Sequence, residues 1–368
     1  MDFNFNMPVH LIAEKSAVKA NSNIFSELGK AAMIVTGGNS AKLCGALEDV
    51  IEALEKSDIS YQIFDKITQN PLAAVCCEAG QLARDFNIDF IIGIGGGSPL
   101  DAAKAIAFYA ANKTIEAQDI YNYDLCLPPL PLILVGTTAG TGSEVSGVSV
   151  LTQENGQKKS VGGKNFYSKI SFCDPKYTYS APYSITVSTA LDAMAHAVEG
   201  WFSPKFDKIA KMFAQKAIPS IWKALKYFYE TNELPSDEVR DELYYASIFA
   251  GMTLNTCGTA FPHGMGYALT EDFNIPHGRA CSVFMPALVR RGLEIKPDLA
   301  RELFDLIGTN YLEFEKVITD LTDLKNLKMT EEQINSYGER WVNLKNFNNS
   351  PGGYSTGQAK DLLRELFS

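Results

Sequence analysis

The sequence predicts two domains of different class, an α/β domain on a parallel sheet over residues 1–182 and an all-helical domain over residues 183–368. Three observations point this way. The 368 residues exceed what one ordinary domain holds. The first half alternates short apolar runs with helical patterns, the signature of parallel strands joined by crossover helices. After Pro182 the strand signals stop and helical periodicity takes over.

The elements follow in order. "AAMIVTGG" (31–38) is an apolar run ending in glycines and reads as a strand, with a helix through "KLCGALEDVIEALEKS". "SYQIFD" (60–65) is a second strand and "LAAVCCEAGQLARDF" the next helix. "DFIIGIGGG" (89–97) is a third strand, continuously apolar as a strand covered on both faces should be. "SPLDAAKAIAFYAAN" continues as a helix and "PLILVGTT" (131–138) as a strand. From Thr186 onward the pattern is helical, as in "KIAKMFAQKAIPSIWKALKYFYE", and the Asn- and Gly-rich 341–356 reads as a loop.

Composition narrows the function classes. The chain is 46% hydrophobic and 21% charged, enough for a large core. A net charge of −10 argues against nucleic acid or an anionic membrane surface as partner. No run of about 18 apolar residues suggests a membrane span, and the start lacks the charged and apolar regions of a secretory signal. Seven cysteines without a C-x-x-C pair fit reduced thiols, so a cytoplasmic protein is expected.

Two kinds of motif carry chemistry. "GIGGGSPLDAAKAIA" follows a buried strand and opens a helix, so its glycines let backbone approach a phosphate at the helix N-terminus. Ser98 is expected as N-cap, Pro99 at the first helical position and Asp101 in a capping box. Ser98 stands where a G-x-G-x-x-G motif has its last glycine, and a plain tight turn is the alternative. "VTGGNSAK" offers Gly37, Asn39, Ser40 and Lys42 with no carboxylate, so a 2′-phosphate would meet donors without repulsion; a Gly-Asn turn explains the same residues. "GTTAGTGSEVS" adds the hydroxyls of Thr137, Thr138, Thr141 and Ser143.

The second motif is a scarcity. Of only four histidines, His263 and His277 both lie in Pro-His-Gly, and His196 stands four residues after Asp192 on one helix face. One carboxylate and three imidazoles can form a four-ligand metal site, or they can be buried, hydrogen-bonded core groups. His10 matches no pattern and reads as structural or surface. A divalent ion on such ligands acts as a Lewis acid on an alcohol or carbonyl oxygen. Beside a dinucleotide cradle, that chemistry is alcohol dehydrogenation.

Together, "GGGSPLDAAKAIA", "TTAGTGSE", "DPKYT", "LDAMAHAVEGW" and "PHGMGY…NIPHGRA" resemble the iron-containing (group III) alcohol dehydrogenases, in order, from about residue 7 to residue 290. The resemblance implies a Rossmann-like α/β N-terminal domain plus an all-α C-terminal domain, the dehydroquinate synthase-like, iron alcohol dehydrogenase fold. It implies metal ligands at Asp192, His196, His263 and His277, with Fe2+ and also Zn2+ as candidate ions. Pyrophosphate contacts fall on Gly95, Gly96, Gly97 and Ser98, further cofactor contacts on Thr137, Thr138 and Thr141, and another on Lys158. NAD-specific members carry an aspartate where Gly37 stands, so NADP(H) is implied over NAD(H). Many members place a proton-relaying histidine one turn after the first Pro-His-Gly histidine; here that position is Tyr267. The implied activity is reduction of aldehydes and oxidation of small primary alcohols or diols of the butanol or 1,3-propanediol type, in a homodimer. Competing readings are a glycerol dehydrogenase-like polyol oxidoreductase, a dehydroquinate synthase-like lyase and a non-catalytic assembly protein. Few basic residues near the ligands (Arg279, Arg290 and Arg291) speak against the lyase, and the intact ligand set against the assembly protein.

Overall fold

The computed structural model describes residues 3, 5–122, 127–342 and 344–368. Its contacts divide the chain into two units, Asn6–Ala181 and Pro182–Ser368, and the first residues up to Phe5 group with the second. Phe5 does so through its ring, 5.3 Å from that of Phe213. The helical unit therefore draws on the start of the chain, which sequence periodicity assigns whole to the α/β domain. Among the described residues no helix is long and apolar enough to cross a membrane. Cys44, Cys76, Cys77, Cys173, Cys257 and Cys281 are free thiols, and Cys126 lies outside the described residues.

The first unit is built on a six-stranded, all-parallel sheet of order β1-β8-β5-β4-β2-β3. The strands are β1 His10–Ile12, β2 Ala31–Val35, β3 Ser60–Phe64, β4 Phe90–Gly95, β5 Leu132–Gly136 and β8 Ile170–Phe172. Alternation along each strand explains the continuous apolar runs. Met33, Val35, Ile91, Leu132 and Leu134 enter one core with the helices Ala73–Asp85 and Gly97–Ala111. Ala32, Ile34, Phe90, Ile92, Ile94, Ile133 and Val135 enter the other with the helix Ala46–Lys56. The sheet is thus covered on both faces, which is why polar alternation is missing from the sequence. Strands β1 and β8 hold three residues each, too few for a periodic signal. His10, exposed on the edge strand β1, is held through its backbone N–H on Lys169 O.

An antiparallel hairpin, β6 Val148–Thr152 with β7 Lys158–Gly162, was not foreseen. Its anchor is Lys104, fully buried in the helix Gly97–Ala111. The Lys104 ammonium donates to Ser143 Oγ at 2.8 Å and to the Ser146 and Val148 carbonyls at 2.9 and 2.7 Å. Three acceptors answer its three donors, as a buried cation requires.

The second unit is helical throughout. Its central helix, Tyr183–Phe202, is buried without interruption from Ala190 to Phe202, so it reads apolar all round. It packs against Lys208–Thr231, Asp237–Cys257 and His277–Ser282. The 341–356 segment is less loop-like than its composition suggests: Lys345–Asn348 is a helical turn and Asn349 and Ser350 are buried. Asn349 Nδ2 donates to Cys257 O at 2.8 Å, and Ser350 Oγ accepts the Phe261 N–H at 3.0 Å. That bond satisfies an orphan donor at the start of the helix Phe261–Phe273 and fixes the turn carrying His263.

Candidate functional site

The central helix presents Asp192, His196 and Glu199 on one face, at spacings of four and three residues. His263 enters from the first turn of Phe261–Phe273 and His277 from the first residue of His277–Ser282. Around Asp192 Oδ1 stand three imidazole nitrogens: His263 Nε2 at 3.4 Å, His196 Nε2 at 3.8 Å and His277 Nε2 at 3.9 Å. Asp192, His196 and His263 are buried, whereas His277 exposes 27% of its side chain, so the cluster reaches solvent on that side.

Both Pro-His-Gly glycines have a packing reason. A Cβ on Gly278 would lie 1.8 Å from the Ser188 carbonyl oxygen and 3.0 Å from Asp192 Cβ. One on Gly264 would lie 3.0 Å from Asn346 Cβ. The glycine after each histidine lets its helix approach closely enough for the imidazole to arrive.

The electrostatics ask for a cation. Burial alone would raise the Asp192 pKa, yet His196, then His263 and His277, hold its carboxyl well below the usual range. Burial works against charge on His263, but Cys281, Glu199 and Asp192 raise its pKa well above the ordinary value. Burial pushes Glu199 upward against the pull of His263. Most telling, Asp192 Oδ1 and His263 Nε2 are buried and have no hydrogen-bond partner although they face each other. With the single ring proton on Nδ1, against Glu199, two acceptors at that distance are costly without a positive ion between them. The donor set, one carboxylate and three imidazoles, fits a divalent ion such as Fe2+ or Zn2+.

Two residues were missed by sequence reasoning. Glu199 Oε1 lies 2.5 Å from His263 Nδ1, and Oε2 accepts the Ala260 N–H at 2.5 Å. A carboxylate on Nδ1 fixes the ring and leaves Nε2 for the metal. Its signal was the i+7 position after Asp192, inside "LDAMAHAVEGW". Cys281 is the second, one turn past His277, with Sγ 3.5 Å from Nδ1 and 3.7 Å from Nε2 of that ring. Tyr267, one turn after His263, is half-buried and stacks on His277, centroids 5.5 Å apart at 15°.

In the α/β unit the glycine turn and the loop after β5 come together. Gly95 has φ of 151°, and its carbonyl accepts the Thr137 N–H at 2.9 Å. A Cβ on Gly96 would meet Thr138 Oγ1 at 3.0 Å, and one on Gly97 would meet Thr141 Cγ2 at 2.8 Å. The first turn of Gly97–Ala111 carries no acidic residue, which suits an anion at the helix N-terminus. The expected capping is corrected. Gly96 is the N-cap, and Ser98, inside the helix, accepts the Asn70 N–H at 3.2 Å. Asp101 instead accepts from Ser143 Oγ at 2.6 Å and from the Val150 N–H at 2.9 Å, tying down the hairpin.

Gly37, two residues past the end of β2, has a constraint of its own, since a Cβ there would lie 2.2 Å from the Ile67 carbonyl oxygen. The absence of a carboxylate at this position is therefore built into the backbone path. Asn39 and Ser40 are exposed beside it. Lys158 begins β7 opposite Thr152, whose hydroxyl reaches Asn70 O at 3.1 Å, and Asn70 in turn meets Ser98. The neighbouring Lys159 lies over the Tyr121 ring.

Residues 8–175 match the family model of iron-containing alcohol dehydrogenase, and residues 186–365 the C-terminal model of the Fe-containing alcohol dehydrogenase family. The chain is 32% identical to a 1,3-propanediol dehydrogenase of Klebsiella pneumoniae over 83% of its own length and 76% of that protein's. It is 26% identical to an NADPH-dependent butanol dehydrogenase of Clostridium saccharobutylicum, over 93% and 88%. An iron-containing alcohol dehydrogenase structure from Thermotoga maritima superposes with a TM-score of 0.91 at 32% identity, covering 100% of this chain and 99% of that one. The chain belongs to the iron-containing alcohol dehydrogenase family, as a metal-dependent oxidoreductase of alcohols and aldehydes that uses a nicotinamide cofactor.

Proposed function

We propose that the enzyme reduces small aldehydes and oxidises small primary alcohols or diols of the butanol or 1,3-propanediol type, with NADP(H) preferred over NAD(H). Asp192, His196, His263 and His277 hold the ion, Fe2+ in the first instance and Zn2+ as the alternative. The observation that carries this is the facing pair of buried, partnerless atoms Asp192 Oδ1 and His263 Nε2. When bound, the ion supplies Lewis-acid polarisation of the substrate oxygen.

The chain's own residues do the rest. Glu199 keeps the His263 Nδ1 proton in place and Nε2 free. Tyr267 passes the substrate proton at its Oη, one turn after His263 and stacked on His277. Gly95, Gly96, Gly97 and Ser98, with Thr137, Thr138 and Thr141, receive the cofactor pyrophosphate and adjoining ribose, and Lys158 contacts the cofactor. Asn39 and Ser40 are exposed and offer donors for a 2′-phosphate, and Gly37 brings no carboxylate beside them; the preference for NADP(H) rests on that carboxylate-free turn after β2. A cytoplasmic homodimer completes the proposal.

The test is NADPH and NADH oxidation with butyraldehyde, on protein reconstituted anaerobically with Fe2+ or with Zn2+. Turnover faster with NADPH, abolished in His263→Ala, is expected. Preference for NADH would overturn the cofactor assignment alone; silence with both cofactors and both metals would overturn the substrate class.

A further inference from the structure

We infer that Lys104 is a positioning residue for the cofactor, a buried cation that holds the loop after β5 in place against the helix Gly97–Ala111; this rests on the cofactor reading above. The two parts of the cradle come from different segments. Gly95, Gly96 and Gly97 belong to the turn that opens the helix, and Thr137, Thr138 and Thr141 to the loop. Something must hold the one against the other.

One stripe of the helix does so. Gly97, Asp101 and Lys104 are spaced four and three residues apart, so they lie on one face. The loop is fastened along that face at successive points. Thr141 packs on Gly97, where a Cβ would meet its Cγ2 at 2.8 Å. Ser143 Oγ donates to Asp101 Oδ1 at 2.6 Å and accepts from Lys104 Nζ at 2.8 Å. The Ser146 and Val148 carbonyls accept from the same ammonium at 2.9 and 2.7 Å. The Ser143 N–H turns back to Thr141 Oγ1 at 3.4 Å, so the tie at Ser143 runs to a residue of the cradle itself.

The charge is needed for this task. Lys104 is 1% exposed, and burying an ammonium is costly unless its donors are all met. A methionine of similar length would fill the space. It would offer no donor to Ser143, Ser146 or Val148, and it would leave Asp101 without the cation 3.7 Å away. The lysine thus sets Thr138 and Thr141 over the glycine turn before a cofactor arrives, which spares the cofactor the cost of ordering the loop. Without the tie, the cofactor orders that stretch as it binds. Fixing the backbone of even one residue corresponds to roughly tenfold in affinity.

Lys104→Met and Ser143→Ala test this in the full-length protein. NADPH and NADH are titrated by the fluorescence of the reduced nicotinamide, and 5′-AMP by calorimetry. The nucleotide 5′-AMP carries the adenosine end but neither the second phosphate nor the nicotinamide ribose, so the placement of the loop affects it little. Both variants should bind the preferred dinucleotide about tenfold more weakly and 5′-AMP within about twofold of the unmodified protein. Native dinucleotide affinity in folded Lys104→Met would overturn the role of Lys104. Equal losses for the dinucleotide and 5′-AMP would overturn it too, because a general loosening of the domain weakens both. If Lys104→Met does not fold, Ser143→Ala decides on the same two readings, since it removes only the hydroxyl that Asp101 and Lys104 share. An unmodified protein that binds neither dinucleotide would overturn the cofactor reading and this inference with it.

Discussion

Replacing Glu199 by Gln removes one negative charge and one acceptor from a fully buried position. In the native protein both Glu199 oxygens are engaged, one with His263 Nδ1 and one with the Ala260 N–H. Glutamine keeps one oxygen. If that oxygen stays on Ala260, the amide NH2 faces Nδ1 and forces it to accept, which moves the ring proton to Nε2 and blocks the lone pair the metal needs. If the oxygen turns to His263, the Ala260 N–H loses its acceptor and meets a second donor. A lost hydrogen bond to a charged group contributes about 1.5–3 kcal/mol. Removing the partner of a metal-binding histidine lowers metal affinity by about 10–100-fold, equivalent to roughly 1.4–2.8 kcal/mol. The two ranges agree, so the variant should bind Zn2+ or Fe2+ at least about tenfold more weakly while the helices remain folded. Competition against a chromogenic chelator, with far-ultraviolet circular dichroism as the control, measures this. Wild-type affinity in a folded Glu199→Gln protein would refute the role given to Glu199.

Two further predictions address packing and charge. Gly278→Ala puts a methyl group 1.8 Å from the Ser188 carbonyl oxygen, so the helix bearing His277 must move; a cost of about 1–3 kcal/mol and loss of bound metal are expected, and wild-type metal content would contradict it. Asp49 is buried, accepts from the Tyr177 hydroxyl at 2.8 Å and pairs with Lys19 at 3.0 Å and Lys176 at 3.3 Å. Burial alone would raise its pKa, but Tyr177, Lys19 and Lys176 lower it. Its folded pKa thus lies below the unfolded value of about 3.9, so its stabilisation is present above that pH and lost as pH falls through the folded value. Asp49→Asn should be less stable in urea at pH 7 and lose less on acidification; parallel acid profiles for the two proteins would contradict this.

The cluster of Asp192, His196, His263 and His277 was legible because imidazoles are rare here and two of the four stand in the same Pro-His-Gly frame. Glu199 was not, because in an apolar helix a lone carboxylate shows its purpose only once His263 arrives from 64 residues away. The four longer strands of the sheet stood out through their apolar runs, while β1 and β8 hold three residues each and depend on their neighbours. Ser98 misled for a local reason. Serine before proline resembles a helix start, but the helix begins two residues earlier, with Gly96 as N-cap, where the Thr138 hydroxyl would crowd a side chain.

The convergence of three chain segments on Asp192 also makes the ion a cross-link. Residues 192–199, 260–263 and 277–281 meet at the cluster, although intervening loops and helices separate them along the chain. An ion held by all three closes those loops, and by linkage it stabilises the folded chain by about 2.7 kcal/mol at a hundredfold excess over its dissociation constant. The local opening of these helices that a protease needs becomes correspondingly rarer. A cell short of metal would therefore lose this enzyme to degradation as well as to idleness, and resupplying the ion would restore activity only through new synthesis of the chain already destroyed.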